Sequence, residues 1–396
     1  MVTYLACQWL ISLFVVWLSD DYTNSGILAL AMSITNFLAI IAAYNIRNFQ
    51  ISDIKGEYND SEYVITRIIT CTVSFLLCMG FVFIVDFSNM QRIIILCYML
   101  FRIGEAFIDV LHGIDQKSWR MDYIGISTII RGVLMLAAFI LLLWLFDLLS
   151  AVIGMVIITF LTAFLYDFQK AKKLAKFTAF AGKKILSLLK ICFPLMLVLL
   201  VITLIVSFAR FSMQRMYGDE ALGIYVAASN PTLIIQSSAF LLFAPLINLF
   251  AEALKESNKK KFLKIFIVVF AAVVAITVIF TTASYVFGEW VLTILFDESI
   301  TEYAYLLIGA SVASGFTALI WLMNIVFTAI RDIKGVFVCN LIGMIICLAT
   351  SEMLLRSFGL NGANYVMIIS QGAAVVFALV RLFWVLNSNK GLLILK

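Results

Sequence analysis

Long apolar stretches separated by short polar ones set the pattern of the chain, at about 1–18, 26–46, 64–85, 93–111, 123–146, 148–166, 186–209, 222–250, 263–286, 303–330, 335–355 and 360–386. Most are about the ~20 residues that cross a ~30 Å hydrocarbon core as a helix. The pattern therefore predicts an all-α polytopic membrane protein with about 12 transmembrane helices. Met1 opens directly into the first stretch with no basic segment or small-residue cleavage site, which predicts a retained helix rather than a signal peptide.

Composition agrees: 64% of the 396 residues are hydrophobic, 13% are charged, and the mean hydropathy is +1.08. A soluble enzyme would carry about twice that charge. With an even number of spans both termini share a side. The loops between spans 2–3, 4–5, 6–7, 8–9 and 10–11, with the C-terminal tail and the first five residues of the spans that follow those loops, hold 21 of the 28 Lys and Arg. The alternate loops carry Asp20, Asp21, Asp219, Glu220, Asp297 and Glu298. The positive-inside rule then puts both termini in the cytoplasm of a plasma membrane. The net charge of +5 reads as loops facing an anionic leaflet, with membrane lipids rather than nucleic acid as partner.

The two halves echo each other. Asp20-Asp21 and Gly26-Ile27 recur as Asp219-Glu220 and Gly223-Ile224, and Asp115-x-Lys117 with Gly125 recurs as Asp332-x-Lys334 with Gly343. These matches predict two pseudo-symmetric six-helix lobes, 1–166 and 186–396, joined by a Lys-rich cytoplasmic linker at 167–185.

Charge inside the spans is the main chemical signal, because a buried charge is costly and marks a pathway or a pair. Arg102, Glu105, Asp109 and His112 follow at intervals of three, four and three, which places them on one helical face. Arg131 in the next span lies at a depth close to that of Glu105, so these two are expected to pair and to leave the Arg102 charge free. A purely structural role, two helices locked by mutual neutralisation, competes with a hydrophilic cavity carrying surplus positive charge. For His112, at the cytoplasmic end of its span, simple solvation is the stronger reading. Asn230-Pro231 and Pro245 interrupt the eighth stretch, which predicts a bent or broken helix with Asn230 and Gln236 on it; Asn36, Asn45, Asn324, Asn364, Gln371 and Arg381 are further polar residues within spans, each explicable as interhelical packing.

Seven cysteines in apolar segments without a C-x-x-C pair, and a single histidine, predict no metal site and no catalytic centre. No G-x-x-x-x-G-K-[ST], G-x-G-x-x-G or G-x-S-x-G occurs, so no nucleotide cofactor is expected.

The two six-helix lobes, the stretch Tyr217-Gly218-Asp219-Glu220-Ala221-Leu222-Gly223-Ile224-Tyr225 and the run from Arg102 through Glu105, Asp109, His112-Gly113 and Arg120 to Arg131 resemble Wzx-type polysaccharide repeat-unit flippases of the multidrug/oligosaccharidyl-lipid/polysaccharide exporter superfamily. The resemblance implies export of an undecaprenyl-diphosphate-linked oligosaccharide by alternating access, for capsule, O-antigen or exopolysaccharide synthesis. It implies H⁺ or Na⁺ as coupling ion and a polymerase and glycosyltransferases as partners. The family's cavity charges map onto Arg102, Arg131, Arg210, Arg215 and Arg381, with Glu105, Asp109 and His112 as ion-pair or coupling groups. A cation-coupled multidrug antiporter and a lipid II flippase share the implied fold. A membrane glycosyltransferase using Asp20-Asp21 is disfavoured because that loop is short and its acidic pair recurs in the second half.

Overall fold

The computed structural model describes residues 2–53, 56–175, 182–233, 246–255, 258–296 and 298–387. Among them there is no strand. The helices are α1 Val2–Trp17, α2 Thr23–Ala43, α3 Ile46–Ser52, α4 Asp60–Ile84, α5 Asn89–Lys117, α6 Met121–Leu145, α7 Leu148–Thr162, α8 Phe168–Leu174, α9 Gly182–Ser229, α10 Leu246–Lys255, α11 Lys259–Phe296, α12 Ala304–Ala329, α13 Ile333–Phe358 and α14 Gly362–Asn387. Eight helical stretches among the described residues are long and apolar enough to cross a membrane. The protein is a multi-pass, all-helical membrane protein in two lobes.

The chain divides into two compact units, 1–203 and 204–396. In the first, α5 is the central helix, packed against α2, α3, α4, α6 and α7. That position lets it carry charge at mid-helix, shielded from lipid by its neighbours. The rim of this unit is apolar and outward-facing, as at Leu76, Leu141, Trp144 and Leu165, which is what a lipid environment rewards. In the second unit α12 and α13 pack on α14, and α11 packs on α12.

Two sequence expectations change. The polar stretch after the seventh span is not a loop: α9 continues past Arg210 and Arg215 to a break at Gly218, whose φ of 86° lies where only glycine is unstrained. The Asp-x-Lys match is also not a structural equivalence. At the turn after α5, Arg120 N–H donates to the Asp115 carbonyl and Trp119 N–H to Gln116; after α12, Asp332 N–H donates to Phe327 and Arg331 N–H to Thr328. Both are Schellman turns, each with its left-handed residue, Trp119 or Arg331, at φ 58°. In this register Asp332 corresponds to Arg120, not to Asp115. Asp332 caps α13 by accepting from Gly335 N–H; Asp115 lies inside the last turn of α5.

The eighth stretch enters as the end of α9 and turns at Asn230, where Leu233 N–H donates to the Asn230 carbonyl. Gln236 and Pro245 lie outside the described residues.

The α3–α4 connection is held by Asp53, whose carboxylate accepts from Glu57 N–H (3.0 Å), Tyr58 N–H (3.1 Å) and the Tyr63 hydroxyl (2.9 Å). Burial alone would raise this carboxyl, but the three donors outweigh it and hold its pKa below the usual value. The stabilisation is present above the ordinary carboxylate range and is lost as pH falls through the depressed value. Asp53→Ala is expected to cost about 1.5–3 kcal/mol, read as a lower thermal midpoint at pH 7 and a difference from the parent that shrinks on acidification below pH 4.

Candidate substrate-binding site

The charged face of α5 forms two clusters within the first unit. In the first, Glu105 accepts from the Tyr4 hydroxyl and pairs with Arg102, while Arg131 Nη2 stands 3.9 Å from Glu105 Oε1. The Arg131 guanidinium lies 4.4 Å from the centre of the Tyr4 ring, a cation–π contact, and Gln8 donates to the Tyr4 hydroxyl at 3.0 Å. The expected Arg131–Glu105 contact is present, but only as the longer of two. Arg102 is not free: one helical turn from Glu105, it is the nearer cation. The expectation of a solitary Arg102 charge is corrected to one carboxylate shared by two guanidiniums.

The second cluster has the same stoichiometry. Asp109 takes Arg47 Nη1 at 3.1 Å and Arg67 Nη2 at 2.8 Å. Arg67 is fully buried, and its Nη1 donates to the Ala42 carbonyl at 3.0 Å. That carbonyl belongs to the last turn of α2, which stops because Tyr44 and Asn45 adopt left-handed φ of 48° and 55°. Thr70 donates to the same oxygen at 2.8 Å, so α4 meets a helix-terminal carbonyl left over by the break. The break also turns α3 back over α5, which brings Arg47 to Asp109 and, through Nη2, to Gln116 at 2.9 Å. Beside this group opens a cavity of about 350 Å³ lined by Asn45, Arg47, Asn48, Asp109 and Gln116 with apolar Ile40 and Leu199.

Each cluster sets two guanidiniums against one carboxylate, a surplus of one positive charge apiece. Arg67 Nε, Arg102 Nε, Arg131 Nε and Arg131 Nη1 are buried with no hydrogen-bond partner among the described residues. The first unit thus offers charge and unused donors to an anion, the combination that binds phosphate most strongly.

His112 is not solvated: it is buried, and its Nε2 lies 3.1 Å from Asp167 Oδ1. The other residues read from the sequence lie in the second unit. Arg381 is committed to Asp332 through two bonds of 2.7 and 2.9 Å. Arg215 is exposed on α9, Arg210 is half-buried, and Asn230 is buried at the end of α9. Arg47, Arg67, Tyr4, Gln8 and Gln116 are members of the site that the sequence did not single out.

Residues 21–253 match the family described as polysaccharide biosynthesis protein, a stretch of more than half the chain that holds both arginine clusters. The chain belongs to the polysaccharide biosynthesis protein family. No curated protein resembles it significantly in sequence. Among solved structures, this family member is similar to an inward-facing multidrug resistance MATE family transporter of the MOP superfamily (TM-score 0.72, 13% identity, 95% of this chain and 92% of that one). It is also similar to the lipid II flippase MurJ in an inward closed conformation (TM-score 0.69, 14% identity, 96% and 87%), and to a Vibrio cholerae MATE transporter, VcmN (TM-score 0.64, 14% identity, 96% and 93%). The fold of this family member is therefore that seen in those transporters and that flippase.

Proposed function

We propose that the protein is a flippase that carries an undecaprenyl-diphosphate-linked oligosaccharide from the cytoplasmic to the outer leaflet by alternating access, for assembly of a surface polysaccharide. The observation that supports this reading is the repeated two-to-one ratio of arginine to carboxylate in the first unit. A cavity built for an organic cation needs the opposite surplus. Arg47, Arg102 and Arg131 are the proposed diphosphate contacts; Arg210, Arg215, Asn230 and Gln236 are proposed contacts of the second lobe. The six-helix lobes are proposed as 1–166 and 186–396, with the Lys-rich 167–185 stretch as connector on the cytoplasmic side.

The decisive experiment is reconstitution of the full chain into vesicles carrying a fluorescent undecaprenyl-diphosphate oligosaccharide. Transfer between leaflets well above protein-free vesicles is the expected result. Uptake of an organic cation without any lipid transfer would instead make the protein an antiporter.

Orientation is checked separately in a cysteine-less background with single cysteines at the exposed Ser118 and Ser299. An impermeant thiol reagent is expected to label Ser299→Cys in intact cells and Ser118→Cys only after permeabilisation. The reverse pattern would invert the proposed topology and the direction of transport.

A further inference from the structure

Beyond the arginine clusters, the C-terminal end of α5, at Lys117, holds a second group of ionisable residues. α7 does not stop as an ordinary helix: residues Ala163–Asp167 form a π turn that joins it to α8, and insertions of this kind re-aim side chains, often at functional sites. Here the turn delivers Asp167, 1% exposed, to His112. Asp115, one turn beyond His112 on the same face and past the expected span 93–111, is 0% exposed. Both Asp115 carboxyl oxygens and Asp167 Oδ2 are buried without a hydrogen-bond partner among the described residues.

A buried carboxylate with no donor is the costliest of polar groups to keep charged, and two neighbouring carboxylates oppose each other's ionisation. Protonation removes the charge and needs no donor from the surroundings, which suits a carboxyl whose two oxygens have none. We propose that Asp115, Asp167 and His112 form a proton-binding site at the base of the first unit, holding a proton on the Asp115 carboxyl in the conformation seen here.

The surroundings account for the balance. Asp122 at the start of α6 adds negative charge, while Arg120 and, from α3, Arg47 oppose it. Arg120 is occupied by Asp122 through bonds of 2.9 and 2.7 Å, and Arg47 by Asp109 and Gln116. Tyr166 stands near the same carboxylates and near Tyr123, and Lys170 Nζ lies over both rings. With burial first, then Asp167 and Asp122, the Asp115 carboxyl is raised to about 7. Access of water to this end of α5 would release the proton; reburial would take it up. The site is independent of what the protein carries, so it stands or falls apart from the flippase reading.

The test is infrared titration of the purified full chain in lipid. The carbonyl stretch of a protonated carboxyl is expected below neutral pH, titrating away near pH 7, and absent in Asp115→Asn. Asp167→Asn removes the neighbouring negative charge and is expected to move that midpoint down by about one pH unit or more. Asp115→Asn imitates the neutral acid, so it is expected to fold and to lose less thermal stability than the parent between pH 5 and 8. A parent spectrum with no carboxyl titrating between pH 5 and 9 would overturn the proposal without any variant. So would an Asp115→Asn spectrum unchanged from the parent, or a midpoint unmoved in Asp167→Asn.

Discussion

Asp109→Ala is expected to reduce the amount of folded protein in the membrane more than any single arginine substitution in the site. Arg67 is wholly enclosed, and among the described residues its hydrogen-bond partners are the Ala42 carbonyl and the Asp109 carboxylate. Removing one partner of a buried pair leaves the other charge stranded, at a cost of about 3–5 kcal/mol, a large part of the whole stability of a typical domain. The converse change is milder. In Arg67→Met the Asp109 carboxylate keeps Arg47, and the Ala42 carbonyl keeps Thr70. Arg67→Met is therefore expected to rescue the abundance of Asp109→Ala when the two are combined, because an apolar side chain of similar length fills the space without a charge to satisfy. Quantitative immunoblotting of membranes and thermal unfolding in detergent measure both. If Asp109→Ala accumulates like the parent, Arg67 is satisfied by groups other than Asp109 and the keystone role assigned to the carboxylate is wrong.

That asymmetry was only half legible in the sequence. The spacing of Arg102, Glu105, Asp109 and His112 announces one charged face, and the structure keeps it, since an uninterrupted helix carries its periodicity into space. Arg47, Arg67, Asp115 and Asp167 sit at the margins of apolar stretches, where a charged residue reads as a solvated flank. Their placement depends in part on events that no glycine or proline marks: the left-handed pair Tyr44-Asn45 that ends α2 and the π turn that aims Asp167 inward. The second partner of Glu105 was missed for a related reason. Depth across two antiparallel helices pointed to Arg131, but a flexible arginine three residues away on the same helix reaches the carboxylate first. Along α9 the error ran the other way: Arg210, Arg215 and Asp219 look like a loop, yet good helix formers carry the helix on until Gly218 allows the backbone to break.

Arg102→Ala and Arg131→Ala should each leave membrane abundance near the parent's while lowering transport of the diphosphate-linked lipid. Glu105 has two guanidiniums and the Tyr4 hydroxyl, so deletion of either arginine leaves the carboxylate paired and the fold intact. What disappears is the surplus charge. A hydrogen bond from a charged donor to a phosphate oxygen is worth about 1.5–3 kcal/mol, roughly ten- to a hundredfold in affinity, and the loss should appear in leaflet transfer at low substrate concentration. Arg102→Lys keeps the charge without the fork and is expected to recover part of that transfer. The double variant Arg102→Ala with Arg131→Ala strands Glu105, which is 14% exposed, and should lose abundance as well as transport. Adding Glu105→Gln to it removes the unpaired charge and is expected to restore abundance while transport stays lost. That separation of folding from transport is what distinguishes arginines that meet the substrate from arginines that only neutralise a carboxylate. Full transport in the triple variant would show that the first cluster takes no part in binding and would leave the Arg47–Asp109 cavity to carry the diphosphate alone.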